Sequence, residues 1–341
     1  MSKPRVILAP HFRRIDEIFD HRSLQRLDDL STIVWGRDDP MPVERFTEEI
    51  GHASAVVFGT WAFADALQHA GPQLAAVLEV AGGHHHPELG YERALGRGLH
   101  LGSCAPAFAQ VVAEHALGLA LTAVRGITVA DQAMRRGDER WLHDGNAGNS
   151  TLFGATIGLI GFGGIARQLV DLTGPFGVTA LAFDPHLDDA AVERGGATKS
   201  ALDELIEQSD VVFVAAAPTD DNRGLVSRSV LERFHPEQTL VVISRASLVD
   251  FDAAVELAAC GSFTLATDVF PEEPIPDDAA VRSAANTVLT PHIAGALPQA
   301  LHAIGRMVVN DLESIFRGEA PASMQYLRAE TVPSLVRFSN P

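Results

Sequence analysis

Short apolar runs alternate with longer stretches of helical period along most of the chain. In the first third the runs cover residues 6–9, 32–35, 55–59 and 74–80. Later they recur at 156–160, 178–183, 211–216, 240–244, 263–268 and 287–290. Unbroken runs this short predict strands covered on both faces. Between them, apolar positions such as Ile165, Ala166, Leu169, Val170 and Leu172 follow a helical spacing. Similar spacing predicts helices at 201–206, 226–234 and 253–259, and a closing helix over about 297–316. A longer helix is expected to begin near Pro106 and run through Leu121. It is apolar nearly all round, so it is expected to be buried between lobes or in a dimer interface. Glu114 and His115 inside it read as satisfied polar groups. The polar segment 135–150 and the proline-rich segment 271–286 read as loops. Alternation of strand and helix predicts parallel sheets with helices on both faces.

One run stands out. Ile157, Leu159 and Ile160 are followed directly by Gly161, Gly163 and Ala166, which fit G-x-G-x-x-G/A between a strand and a helix. The first glycine makes a tight turn, the second admits a pyrophosphate, and the small third residue lets the helix pack close to the strand. The pyrophosphate would rest on free N–H groups at the positive end of the helix. Gly177 stops that helix, and the next strand ends at Asp184, 21 positions after Gly163. That spacing suits a carboxylate holding the adenosine ribose hydroxyls.

Other strand ends also carry chemistry. Arg245, Asp268 and His292 each follow an apolar run, and Glu273 lies five residues beyond Asp268. In a doubly wound sheet, ligands bind outside the carboxyl ends of the strands. An arginine fork grips a carboxylate and polarises a neighbouring carbonyl. A histidine can exchange a proton with a hydroxyl, and a carboxylate beside it fixes its tautomer and stabilises the imidazolium. With a nicotinamide alongside, this set would interconvert a 2-hydroxy acid and a 2-oxo acid. Gly82 and Gly83, after the run at 74–80, mark another place where backbone can meet a ligand. His84, His85 and His86 follow. Successive side chains on extended backbone point in alternating directions, so these three read as loop residues near a substrate pocket, and no metal is expected.

Composition narrows the partners. The chain has 341 residues, enough for two domains, and its formal charge of −18 argues against a nucleic-acid partner. The two cysteines, Cys104 and Cys260, form neither a disulfide framework nor a C-x-x-C pair. The apolar run at the N-terminus is too short for a signal peptide. Glu114 and His115 interrupt the longest apolar stretch, so no membrane span is expected. A soluble cytoplasmic protein follows from this reading.

Taken together, four motifs carry a family resemblance. They are Gly158-Leu159-Ile160-Gly161-Phe162-Gly163-Gly164-Ile165-Ala166, Ile243-Ser244-Arg245-Ala246-Ser247-Leu248-Val249-Asp250, Asp268-Val269-Phe270-Pro271-Glu272-Glu273-Pro274 and Thr290-Pro291-His292-Ile293-Ala294-Gly295. In order and spacing the chain resembles the D-2-hydroxyacid dehydrogenase family over nearly its whole length. The resemblance implies an α/β protein of two doubly wound lobes, a Rossmann NAD-binding domain (105–292) inserted in a flavodoxin-like substrate domain (1–104 plus 293–341). It implies that Arg245 anchors substrate, His292 is the acid/base and Glu273 orients it. It places Gly164 and Ile165 at the pyrophosphate, Ala216, Ile243 and Ser244 along the nicotinamide, and Asp268 facing the carboxamide. Gly83 and His84 would offer backbone N–H groups to the substrate carboxylate. Asp184 favours NAD over NADP, because its charge would repel a 2′-phosphate. Family members are usually homodimers joined through the long helices. Two motifs depart from the family pattern. The substrate loop, usually G-V-G-x-D-N, here reads Gly82-Gly83-His84-His85-His86-Pro87, and Ala246-Ser247 replace two glycines after Arg245. Competing readings are a dehydrogenase of another small anion, or a dinucleotide-sensing protein like the C-terminal-binding corepressors.

Overall fold

The computed structural model describes residues 3–83, 86–329 and 332. It divides into two compact units, 1–108 with 296–341, and 109–295. In the first unit, strands β1 (Arg5–Ala9), β2 (Thr32–Trp35), β3 (Ala55–Phe58), β4 (Ala76–Glu79) and β5 (His100–Ser103) pair in parallel in the order β5-β4-β3-β1-β2. A short strand, Gln325–Tyr326, adds antiparallel to the free edge of β5. The order 2-1-3-4-5 is that of flavodoxin-like sheets. β3 and β4 are buried at every position, as a strand covered on both faces must be. On one side lies a core that includes Val6, Leu8, Leu78, Ile304, Val308 and Leu312, the last three from the closing helix Pro298–Phe316.

The second unit carries β6 (Thr156–Ile160), β7 (Thr179–Phe183), β8 (Thr198–Lys199), β9 (Val211–Val214), β10 (Thr239–Val242), β11 (Thr264–Thr267) and β12 (Thr287–Leu289). Their order is β12-β11-β10-β9-β6-β7-β8, all parallel. Counted within the unit this is the Rossmann order 3-2-1-4-5-6 with one strand added. The direction of winding reverses between β6 and β9, which opens a crevice at their carboxyl ends. Leu240, Val242, Val212, Val214 and Leu265 are each 0% exposed in the core beneath. Full burial of one such side chain contributes roughly 1.5–3 kcal/mol.

Several elements differ from the pattern-based expectation. The two-residue strand β8 and the strand β5 are too short or too weakly apolar to announce themselves. The helix expected over 226–234 is one turn, Arg228–Leu231. A second helix, Ile127–Arg136, follows the long one and ends at Gly137, whose φ of 75° is a left-handed cap. The long helix itself spans Ala105–Val124. It is half-covered rather than fully buried, with Val112, Ala113, Ala116, Leu119, Ala120 and Val124 inside. Among the described residues it is the one helix long and apolar enough to cross a membrane on length and composition alone.

Candidate active site

Gly161 sits at the end of β6 with φ +87°, a conformation that L side chains rarely adopt. A Cβ there would lie 2.3 Å from the Ala216 Cα, so only glycine lets the turn pass the end of β9. This fixes Ala216 against the glycine turn. Gly163 is the N-cap of the helix Gly164–Thr173, and no side chain caps it. A Cβ at Gly163 would meet nothing within 4 Å. The Gly164 and Ile165 amides therefore open an uncapped helix terminus onto free space, which suits a pyrophosphate. Ala166 is fully buried, giving the close helix–strand packing expected of the third small position. The crevice thus fits a dinucleotide.

Asp184 follows β7 directly. Its Oδ2 accepts from the Phe162 amide at 2.9 Å, and its Oδ1 accepts from the His186 amide at 2.9 Å. Each carboxylate oxygen keeps a second acceptor direction for a ribose hydroxyl. At the end of β10, Ile243 and Ser244 are buried, and the Ser244 hydroxyl donates to the Val214 carbonyl. Arg245 comes next, exposed, with Nη1 donating to the Ser244 carbonyl at 2.7 Å. Surrounding protein pushes the Arg245 pKa down from its ordinary value, while the charge of Glu273 opposes the fall. The guanidinium stays a cation all the same. Ala246 and Ser247, in place of two glycines, lie in a single 3-10 turn, Ala246–Leu248.

Glu273 and His292 meet directly. Glu273 Oε1 accepts from the Phe270 amide at 2.8 Å, and Oε2 lies 2.5 Å from His292 Nδ1. The carboxylate is therefore held by its own loop and aimed at the ring. Both side chains keep solvent access, 33% for Glu273 and 43% for His292. His292 has φ +51°, a left-handed backbone unusual for a residue with a side chain. Asp268, at the end of β11, is 1% exposed. It accepts from the Thr290 hydroxyl at 2.6 Å and from the Ile293 and Ala294 amides at 3.0 Å each.

The second unit thus gathers Gly161, Gly163, Asp184, Ala216, Arg245, Asp268, Glu273 and His292 at the carboxyl edge of one sheet. Arg245 shares no hydrogen bond with the Glu273–His292 pair. Gly83 belongs to the first unit, in the loop after β4, and His84 lies outside the described residues. Among the described residues no three His, Cys, Asp or Glu side chains converge as a metal site. His115, read from the sequence as a satisfied polar group, does find a partner, though the sequence did not point to Thr290 as that partner. The Thr290 hydroxyl lies 2.9 Å from His115 Nε2, across 175 residues of chain, and no spacing rule reaches that far.

Comparison with known proteins bears on the family and the fold. The family model for the D-isomer specific 2-hydroxyacid dehydrogenase NAD-binding domain matches residues 117–294. A glyoxylate reductase of Pyrococcus furiosus is 28% identical over 300 residues, covering 85% of this chain and 88% of that protein. A phosphoglycerate oxidoreductase structure from Rhizobium etli superposes with a TM-score of 0.85 and 32% identity, covering 97% of this chain and 100% of the other. An NADPH-dependent glyoxylate/hydroxypyruvate reductase from Sinorhizobium meliloti superposes with a TM-score of 0.70 and 25% identity, covering 97% and 99%. With half of its length matched by the family model and its fold matched end to end, the chain belongs to the D-isomer specific 2-hydroxyacid dehydrogenases.

Proposed function

We propose that this dehydrogenase uses NAD to interconvert a D-2-hydroxy acid and its 2-oxo acid, with His292 as acid/base. The second unit serves as the dinucleotide domain and the first as the substrate domain. The observation that carries the reading is the 2.5 Å contact between His292 Nδ1 and Glu273 Oε2 in the unit that holds the glycine turn. Glu273 Oε2 accepts a hydrogen bond from Nδ1–H, which leaves Nε2 as the nitrogen that exchanges a proton with substrate. During oxidation neutral His292 takes the hydroxyl proton; during reduction the protonated ring returns it to the carbonyl oxygen. Glu273 stabilises the imidazolium in between. Arg245 grips the substrate carboxylate as a fork and draws electron density from the adjacent C2 carbonyl. The Gly164 and Ile165 amides would hold the pyrophosphate and Asp184 the ribose, with Asp268 facing the carboxamide. The bound nicotinamide supplies or accepts the hydride.

Asp184 supports NAD, because a 2′-phosphate would meet its negative charge. The NADPH-dependent relative makes this a choice to be measured. A homodimer is part of the proposal. Ile127, Val129, Met134, Trp141, Leu142 and Phe153 are between 53% and 85% exposed, an unusual concentration of large apolar side chains after the long helix.

The test follows absorbance of NADH and of NADPH with glyoxylate, hydroxypyruvate and a series of larger 2-oxo acids. The reading predicts oxidation of NADH, faster than NADPH, with at least one acid. Dinucleotide binding without turnover on any acid would favour the sensor reading instead.

A further inference from the structure

His115 has no place in the reaction described above, yet its ring reaches into the same sheet edge. It projects from the helix Ala105–Val124 and places Nε2 2.9 Å from the Thr290 hydroxyl. That hydroxyl is also 2.6 Å from Asp268 Oδ1, and His115 Nε2 is 3.6 Å from the same oxygen. The directions of these bonds can be assigned from the chemistry. An ionised carboxylate only accepts, so the Thr290 hydrogen must point at Asp268. The Thr290 oxygen is then left as an acceptor, and His115 Nε2 must carry the hydrogen it receives. The reverse arrangement would leave two oxygen lone pairs facing each other with no proton between.

The downstream end of this chain is the backbone on either side of the acid/base. Asp268 Oδ1 also accepts from the Ile293 amide, and Oδ2 from the Ala294 amide. The His292 amide donates to the Thr290 carbonyl at 3.1 Å. His292 is thus bracketed by Thr290 on one side and by two Asp268-bound amides on the other. A left-handed residue that is not glycine persists only where its surroundings over-determine it. Here the surroundings are Asp268, Thr290 and, behind them, His115.

We propose that His115 is a positioning residue. Its Nε2–H, relayed through the Thr290 hydroxyl to the buried Asp268 carboxylate, keeps the 290–294 turn in the form that aims the His292 ring at Glu273. The same helix carries Ala109, whose Cβ would lie 3.3 Å from a Cβ added at Gly164. One helix therefore passes close to both the acid/base turn and the start of the phosphate-binding helix.

This proposal rests on the dehydrogenase reading, and its test separates the two. His115→Leu removes the N–H and keeps bulk; His115→Gln places an amide N–H near the former Nε2. Steady-state kcat and KM would be measured with the best 2-oxo acid, along with the dinucleotide Kd and the Tm. The expected result is a roughly tenfold fall in kcat for His115→Leu, with dinucleotide Kd unchanged, and recovery to within about threefold for His115→Gln. An unchanged kcat in His115→Leu, or equal losses in both variants, would overturn it. If the wild type turned over no 2-oxo acid, the dehydrogenase reading would fail by itself. The clamp would then be judged from a crystal structure of His115→Leu, where a His292 still left-handed and still on Glu273 would refute it.

Discussion

The two units are built alike, each around a sheet whose main strands run parallel, yet the carboxyl edges of their sheets differ. In the first unit, β4 ends in Glu79 and β5 in Ser103 and Cys104, all at most 2% exposed. Burial, with Glu79 and then Asp311 behind it, pushes the Cys104 thiol far up, out of reach of thiolate chemistry. Burial and then Glu79 do the same to the Tyr91 phenol. In the second unit the strand ends carry Asp184, Arg245, Glu273 and His292, all with solvent access. Chemistry needs charges that can meet a ligand and protons that can leave. At the first edge these groups lie inside the protein; at the second those four are presented, while Asp268 and Ser244 stay buried. The shared architecture alone assigns no reaction to either edge.

The sharpest way to break this contrast is to remove a presented group. His292→Ala should lower kcat about 10²–10⁴-fold, with dinucleotide Kd unchanged in a fluorescence titration. A loss smaller than tenfold would deny His292 its role. Next, Arg245→Lys keeps the charge and loses the fork. KM for the 2-oxo acid should rise roughly tenfold to a hundredfold, and much more than kcat falls. An unchanged KM would move substrate recognition elsewhere. At the glycine turn, Gly161→Ala adds a Cβ against Ala216 and costs about 1–2 kcal/mol for the left-handed backbone alone. Weakened dinucleotide binding is expected; wild-type affinity would mean the turn is not the cradle described.

The smallest effect belongs to the first unit, where a polar group acts on stability only. Asp20 caps the helix His21–Leu30, accepting from the Ser23 amide at 2.8 Å. That amide first, then the Ser23 hydroxyl and Arg306, lower its pKa to about 2. Because the folded value is depressed, the contribution is present at neutral pH and fades as pH falls from the ordinary carboxylate range toward about 2. Asp20→Ala should cost about 1 kcal/mol at pH 7, read as a lower Tm, with kcat unchanged. The Tm gap should close as pH drops through that window; a gap independent of pH would contradict the capping account.

Much of the second unit was legible in the chain. Several of its strands run into polar residues, and an apolar run stopping at Arg245 or Asp268 marks both a sheet edge and a site. The glycine turn was readable because Gly161 is required by sterics at that one position. Other features left no local trace. β8 pairs through only two residues, Thr198 and Lys199, too few for any periodicity. The helix Ile127–Arg136 buries none of its residues, so its end, falling in the polar segment 135–150, read as loop. The contact of His115 with Thr290 joins residues that only the folded sheet brings together. Asp268 was readable as a strand-end acid, but not as the acceptor that holds the backbone after His292.

The central claim is that hydride reaches C2 of a 2-oxo acid on one face, while His292 supplies the proton. It is tested most directly with NADH carrying deuterium at the transferred C4 position, a 2-oxo acid the enzyme accepts, and chiral chromatography with mass detection of the product. The account predicts the D-2-hydroxy acid with one deuterium on C2. Product without that deuterium, or the L-isomer, would contradict it.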